Sequence, residues 1–122
     1  MACLDCHRHV MQRARATIPN IEVCADCHQE AVGTSEAEAL VVRHVTSGEP
    51  IAWQKVHIVP DHVYFSHRRH AALGGIACET CHGPVSSLKQ PFTAPFVRLE
   101  MEDCQDCHAK SGVSNDCILC HR

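Results

Sequence analysis

The chain is poor in the large rings that usually fill a protein interior: one Trp, one Tyr and three Phe, so that aromatics make up 4% of 122 residues. No apolar run approaches the roughly 18 residues a membrane helix needs, so no membrane span is expected. The formal net charge of −3 is mild. The Lys and Arg residues form no patch, which argues against nucleic acid as a partner. What the chain has in excess is ten Cys and eleven His. Cysteine at that density in so short a chain means a disulfide framework, a set of metal sites, or covalently attached cofactors.

All ten cysteines fall into five copies of one motif. In order these are Cys3-Leu4-Asp5-Cys6-His7, Cys24-Ala25-Asp26-Cys27-His28, Cys78-Glu79-Thr80-Cys81-His82, Cys104-Gln105-Asp106-Cys107-His108 and Cys117-Ile118-Leu119-Cys120-His121. C-x-x-C-H is the attachment sequence of c-type haem. Two residues between the thiols place both sulfurs on one helical turn, at the separation of the two porphyrin vinyl groups. The His that follows turns under the ring and ligates the iron. Zinc sites and redox disulfides also use C-x-x-C, but neither accounts for a His after every pair. Five c-type haems are therefore the expected cofactors. Such haem is attached outside the cytoplasm, so the protein is expected to be periplasmic, membrane-associated through partners, or extracellular. The first motif starts directly behind Met1 and Ala2, so an export sequence is expected to have been cleaved or to lie outside this numbering.

Five histidines are thereby proximal ligands: His7, His28, His82, His108 and His121. Six others remain, namely His9, His44, His57, His62, His67 and His70. Five irons need five distal ligands for bis-His coordination, so supply exceeds demand by one. Four of the six crowd between His57 and His70, which is hard to explain as scattered surface or core histidine. Met1, Met11 and Met101 are alternative ligands that would raise a haem potential, but surplus histidine makes them unnecessary. Bis-His coordination implies low-potential haems without a vacant iron position.

The motif starts are separated by 21, 54, 26 and 13 residues, so the fourth and fifth haems should be near neighbours. In the long gap, Ser35-Glu36-Ala37-Glu38 reads as a capping box opening a helix that Gly48 and Pro50 close. On that helix Ala37, Leu40, Val41 and His44 share one face, so His44 points inward. Trp53, Tyr64 and Phe65 are expected to pack on porphyrin faces. The stretch from Ser86 to Pro95 reads as an exposed loop, and Val63-Tyr64-Phe65-Ser66 alternates as a short strand does.

With about 24 residues per haem, porphyrins must supply the buried apolar surface, and thioether and Fe–His bonds must act as staples. The expected fold is mostly irregular with short α-helices at the motifs, compact, and organised around five covalently bound haems. Residues 1–122 form a single pentahaem domain. Haems 1 and 2 sit in about 1–50 and a second haem module in about 51–122.

Val63-Tyr64-Phe65-Ser66-His67-Arg68-Arg69-His70, followed by Cys78 to His82, resembles the F-x-H-x-x-H…C-x-x-C-H arrangement of class III multihaem cytochromes c. The resemblance implies that His67 ligates the Cys78/Cys81 haem and His70 the Cys104/Cys107 haem. The stretch Gly48 to Trp53 through His57, Pro60-Asp61-His62 and Tyr64 to His67 is similar to the pentahaem subunits of alternative complex III and related quinone oxidoreductases. That likeness runs from about Glu22 onward. With His57, His62, His67 and His70 assigned to four irons, His9 and His44 compete for the fifth. Similar family segments tend to place tyrosine near this point of the helix, which favours His9 within the chain. His44 is then a packing residue or a ligand for an adjacent copy.

Electron transfer is the expected function, with redox proteins or membrane quinone oxidoreductase subunits as partners. Both the first and the last motif lie near a chain end, which also suits a homopolymeric extracellular filament. A multihaem reductase needs an open iron position, against which the ligand supply argues, and storage of haem or another metal is weaker still. No catalytic residue is expected.

Overall fold

The structure is a computed structural model and describes residues 2–121. Helices form where the motifs need them. α1 (Cys3–Cys6), α2 (Ile21–Ala25), α4 (Cys78–His82), α5 (Met101–Lys110) and α6 (Cys117–Cys120) each carry or lead into one C-x-x-C-H copy. In motifs 1, 2 and 5 the His amide N–H donates to the carbonyl of the first Cys, at 2.9, 2.9 and 2.8 Å. That single turn sets the two thiols and the imidazole on one side of the backbone.

The longest helix, α3 (Glu36–Ser47), ends on Gly48 in the left-handed region at φ 73°. A residue without Cβ takes that C-terminal turn without steric penalty. The start of α3 differs from expectation. Ser35 makes no side-chain cap, and Glu38 turns away from the helix end to accept the Val32 and Gly33 N–H groups at 3.0 and 2.9 Å. The preceding loop out-competes the capping box for this carboxylate.

The expected strand at Val63–Ser66 does not form. Among the described residues there is only an isolated antiparallel bridge between Val63 and His121, with the Tyr64 N–H donating to the Cys120 carbonyl at 2.7 Å. Alternation cannot make a strand where the partner chain is itself one helical turn ending on a motif. The stretch from Ser86 to Pro95 is loop, apart from the short 3-10 turn Val85–Ser87. His67 opens a π-helical turn, Arg68–Leu73, a wide turn that is rare and tends to occur at functional sites.

The polypeptide has almost no core of its own. Val10, 9% exposed, is the one buried hydrophobic residue among those described, while Trp53, Tyr64 and Ile118 are 51%, 55% and 82% exposed. The accessible surface is 9587 Å². A folded monomer of 13.5 kDa should expose only about 6,500 Å². The chain is a shell, with packing of α2 against α3 and loop hydrogen bonds holding its parts. His67 N–H to the Ala14 carbonyl (2.8 Å) and Arg68 N–H to that of Arg13 (3.1 Å) tie the chain just past motif 1 to the histidine-rich segment.

Candidate haem sites

Two metal–imidazole bonds of about 2 Å, plus ~1.1 Å from each nitrogen to its ring centre, put trans imidazoles about 6 Å apart between centroids. Pairs of motif and non-motif histidines stand at this spacing. His67 and His82 are 6.2 Å apart and 7° from parallel; His70 and His108 are 6.1 Å apart and 20° from parallel. His62 and His121 are 5.5 Å apart at 16°. His57 is different: its ring meets His82 edge-on at 4.4 Å, too close to lie across an iron from it.

A ligating histidine usually donates its remote ring N–H to an oxygen, which fixes the tautomer and leaves the other nitrogen for metal. The Nδ1–H groups of His7, His44, His67 and His70 meet the carbonyls of Thr17, Glu49, Ala14 and Ser66 at 2.8, 3.0, 3.0 and 2.8 Å. Each leaves Nε2 available. Phe65 wedges beside two of them, edge-on to His67 at 4.8 Å and stacked on His70 at 4.7 Å. Buried His57 Nε2, His28 Nδ1 and His108 Nδ1 have no hydrogen-bond partner. Burial holds His57 below the usual histidine range. Burial first, and then His57, His67 and His7, hold His82 low as well. Neutral imidazole is the form that ligates metal.

Two cavities complete the arrangement. One, of about 150 Å³, is lined by Ala37, Leu40, Val41 and His44 of α3 with Ile51, Trp53 and Pro91. The helical face read from the sequence is thus the wall of an apolar space, and the Trp53 indole N–H, donating to the Pro19 carbonyl at 3.2 Å, fixes this wall beside the approach to α2. The other, of about 280 Å³, is bounded by Cys3, Cys6 and His7 of motif 1 with Val85, Ser86 and Leu88. His9 is exposed, whereas His44 is half-buried. Met11 and Met101 are exposed, and Met1 lies outside the described residues.

The motifs adjoin one another in a definite order. Arg8 pairs with Asp26, joining motifs 1 and 2. Burial pushes the Cys24 thiol up, and the nearness of Cys6 adds to it. Burial also raises Cys78, with Cys3 adding; Cys81, with Cys107 and Cys104 adding; and Cys104, with Asp103 and then Cys120 adding. Asn115, just before motif 5, donates to the Gln105 carbonyl of motif 4 at 2.9 Å.

Sequence reasoning missed Glu38. Its Oε1 stands 3.6 Å from His28 Nδ1, and its pKa is held below the usual carboxylate range by the Val32 and Gly33 N–H groups. The spacing from Ser35 disguised it as a cap. The partnership with His28 joins the end of one motif to a helix ten residues on, and no local pattern announces it.

The donor set fits c-type haem on these observations: thiol pairs on single turns, imidazoles at trans-ligand spacing, orphaned ring nitrogens and an apolar surface the polypeptide does not cover. Comparison with known proteins agrees. Residues 63–122 match the family described as cytochrome c7 and related cytochrome c. The multihaem cytochrome c subunit of a menaquinone reductase from Nitratidesulfovibrio vulgaris (strain Hildenborough) is 30% identical over 146 residues, spanning 100% of this chain and 70% of the relative. The chain belongs to the multihaem cytochromes c, electron-transfer proteins that bind c-type haem, and is related to a quinone oxidoreductase subunit.

Proposed function

We propose that the chain conducts electrons along a row of five bis-His haems, as the cytochrome subunit of a respiratory quinone oxidoreductase on the outer side of the cytoplasmic membrane. The observation that carries this reading is the His67–His82 and His70–His108 pairs, at 6.2 and 6.1 Å. Bound haem supplies one-electron chemistry at iron. The residues of this chain determine everything else.

His67, His70 and His62 would hold iron together with His82, His108 and His121, respectively. His57 lies beside His82, whose neighbours also include His7, and so serves motif 1. His44 lines the cavity on the helix that packs against α2, and so serves motif 2. This prefers His44 to His9 for the fifth position, because His44 has its Nδ1–H already committed to Glu49 and its ring in an apolar wall. No ligand position is left open for substrate, which separates this function from a haem reductase.

The contacts between motifs support a spatial row ordered 2–1–3–4–5. Arg8–Asp26 joins 2 to 1, and the His67–Ala14 hydrogen bond joins 1 to 3. His67 and His70, three residues apart at the start of one π-helical turn, join 3 to 4, and Asn115–Gln105 joins 4 to 5. The row therefore ends at motif 2 and motif 5. The relative's role in a menaquinone reductase supports a membrane complex as the partner. No helix among the described residues is long and apolar enough to cross a membrane.

The test is the electronic spectrum of the oxidised holoprotein, and that of the reduced holoprotein with and without carbon monoxide. Low-spin haem throughout and no shift in the reduced spectrum on adding the gas support the proposal. A high-spin fraction that binds it overturns the proposal in favour of a reductase.

A further inference from the structure

The histidines of this protein differ in what their Nδ1 atoms face, and among the described residues His28 is the one beside a carboxylate. His7, His67, His70 and His44 each face a neutral backbone carbonyl. His28 faces a carboxylate. Its Nδ1 is buried without a hydrogen-bond partner, and Glu38 Oε1 stands 3.6 Å away. The Glu38 side chain is itself only 16% exposed, so its charge is less screened by water than that of a surface acid.

Glu38 is placed with care. Its two oxygens accept from the Val32 and Gly33 N–H groups at 3.0 and 2.9 Å. A Cβ built on Gly33 would lie 2.9 Å from Oε2, so this approach needs a residue without a side chain. α3 packs against α2, the helix leading into motif 2. The carboxylate is thus fixed on the side of His28 away from the nitrogen that binds iron.

We propose that Glu38 is a positioning residue that acts through His28 to make the haem of motif 2 the hardest of the five to reduce. This rests on the pentahaem reading above. A carboxylate 3.6 Å from the ring of a ligating histidine places a negative charge beside the iron's ligand, which favours the ferric, more positively charged state and lowers the potential. Backbone carbonyls, being neutral, do this less. Because motif 2 stands at one end of the row, the effect makes the row asymmetric: its most reducing centre is terminal.

The experiment is a redox titration of the intact holoprotein, followed optically, for wild type, Glu38→Gln and Gly33→Ala. Glu38→Gln keeps the shape and removes the charge; Gly33→Ala crowds the carboxylate out of place. The expected result for Glu38→Gln is that the lowest transition alone rises, by at least a tenfold change in its reduction equilibrium, or about 59 mV for one electron. Gly33→Ala should shift the same transition in the same direction, and it carries the test if Glu38→Gln does not mature. A lowest transition that stays in place, or five that move together, overturns the proposal. Intact mass and spin state of the wild type are measured alongside. Fewer than five low-spin haems there defeats the pentahaem reading itself, whereas five low-spin haems with unmoved potentials defeats only the role of Glu38.

Discussion

The ring centres of His67 and His82 stand 6.2 Å apart with their planes 7° from parallel, a spacing at which both imidazoles would hold one metal ion. His67 reaches that place because the Ala14 carbonyl accepts its Nδ1–H at 3.0 Å and that of its backbone at 2.8 Å. Replacing His67 by Ala should leave one haem of five high-spin and able to bind carbon monoxide, and His70→Ala should do the same to another. His67→Met should keep all five low-spin but raise one potential, since Met/His ligation raises it. A fully low-spin His67→Ala protein contradicts the pairing.

His44 and His9 give a sharper contrast. His44→Ala removes a ring held by Glu49 in the wall of an apolar cavity, and should convert one haem to high-spin in the isolated monomer. His9→Ala removes an exposed ring and should leave the spectrum unchanged. The opposite pair of results transfers the fifth ligand to His9.

The surface excess bears on folding. The polypeptide exposes 9587 Å² where about 6,500 Å² is normal for its mass. The apolar part of that difference would cost roughly 25 cal/mol per Å² if left in water. A chain with all ten cysteines changed to Ser should therefore be largely disordered. Far-ultraviolet circular dichroism should show little helix, and a cooperative thermal transition in that variant would contradict the account.

Iron positions test the row. Anomalous diffraction from crystals of the holoprotein should place the motif 1 iron between those of motifs 2 and 3, with motifs 2 and 5 terminal. Close packing along such a row also predicts overlapping, low-potential redox transitions that five independent centres do not fit. An order of 1–2–3–4–5, or five well-separated transitions, contradicts the arrangement.

Much of the architecture was legible because the motifs dictate it. Every α-helix other than α3 among those described carries or leads into a C-x-x-C-H copy, and α3 was legible from the face shared by Ala37, Leu40, Val41 and His44, all of which line one cavity. The alternation at Val63–Ser66 misled, because a strand needs a partner and Cys120–His121 offers only one bridge. The π-turn at Arg68–Leu73 has no period that a sequence displays. Glu38 was legible as a helix-start residue but not as the partner of His28, since that contact depends on how a loop delivers Val32 and Gly33 to it. The order of the row was hidden for a related reason. Sequence spacing makes motifs 1 and 2 the beginning, and the proposed order, with motif 1 inside, rests on the contacts at Arg13 and Ala14.

The central claim is that each of the five motifs holds a haem through two thioether bonds, and the most direct measurement is the intact mass of the mature protein after acid denaturation. The account predicts the polypeptide mass plus five haems, with none released into solvent. A mass carrying four or fewer, or haem lost on denaturation, contradicts it.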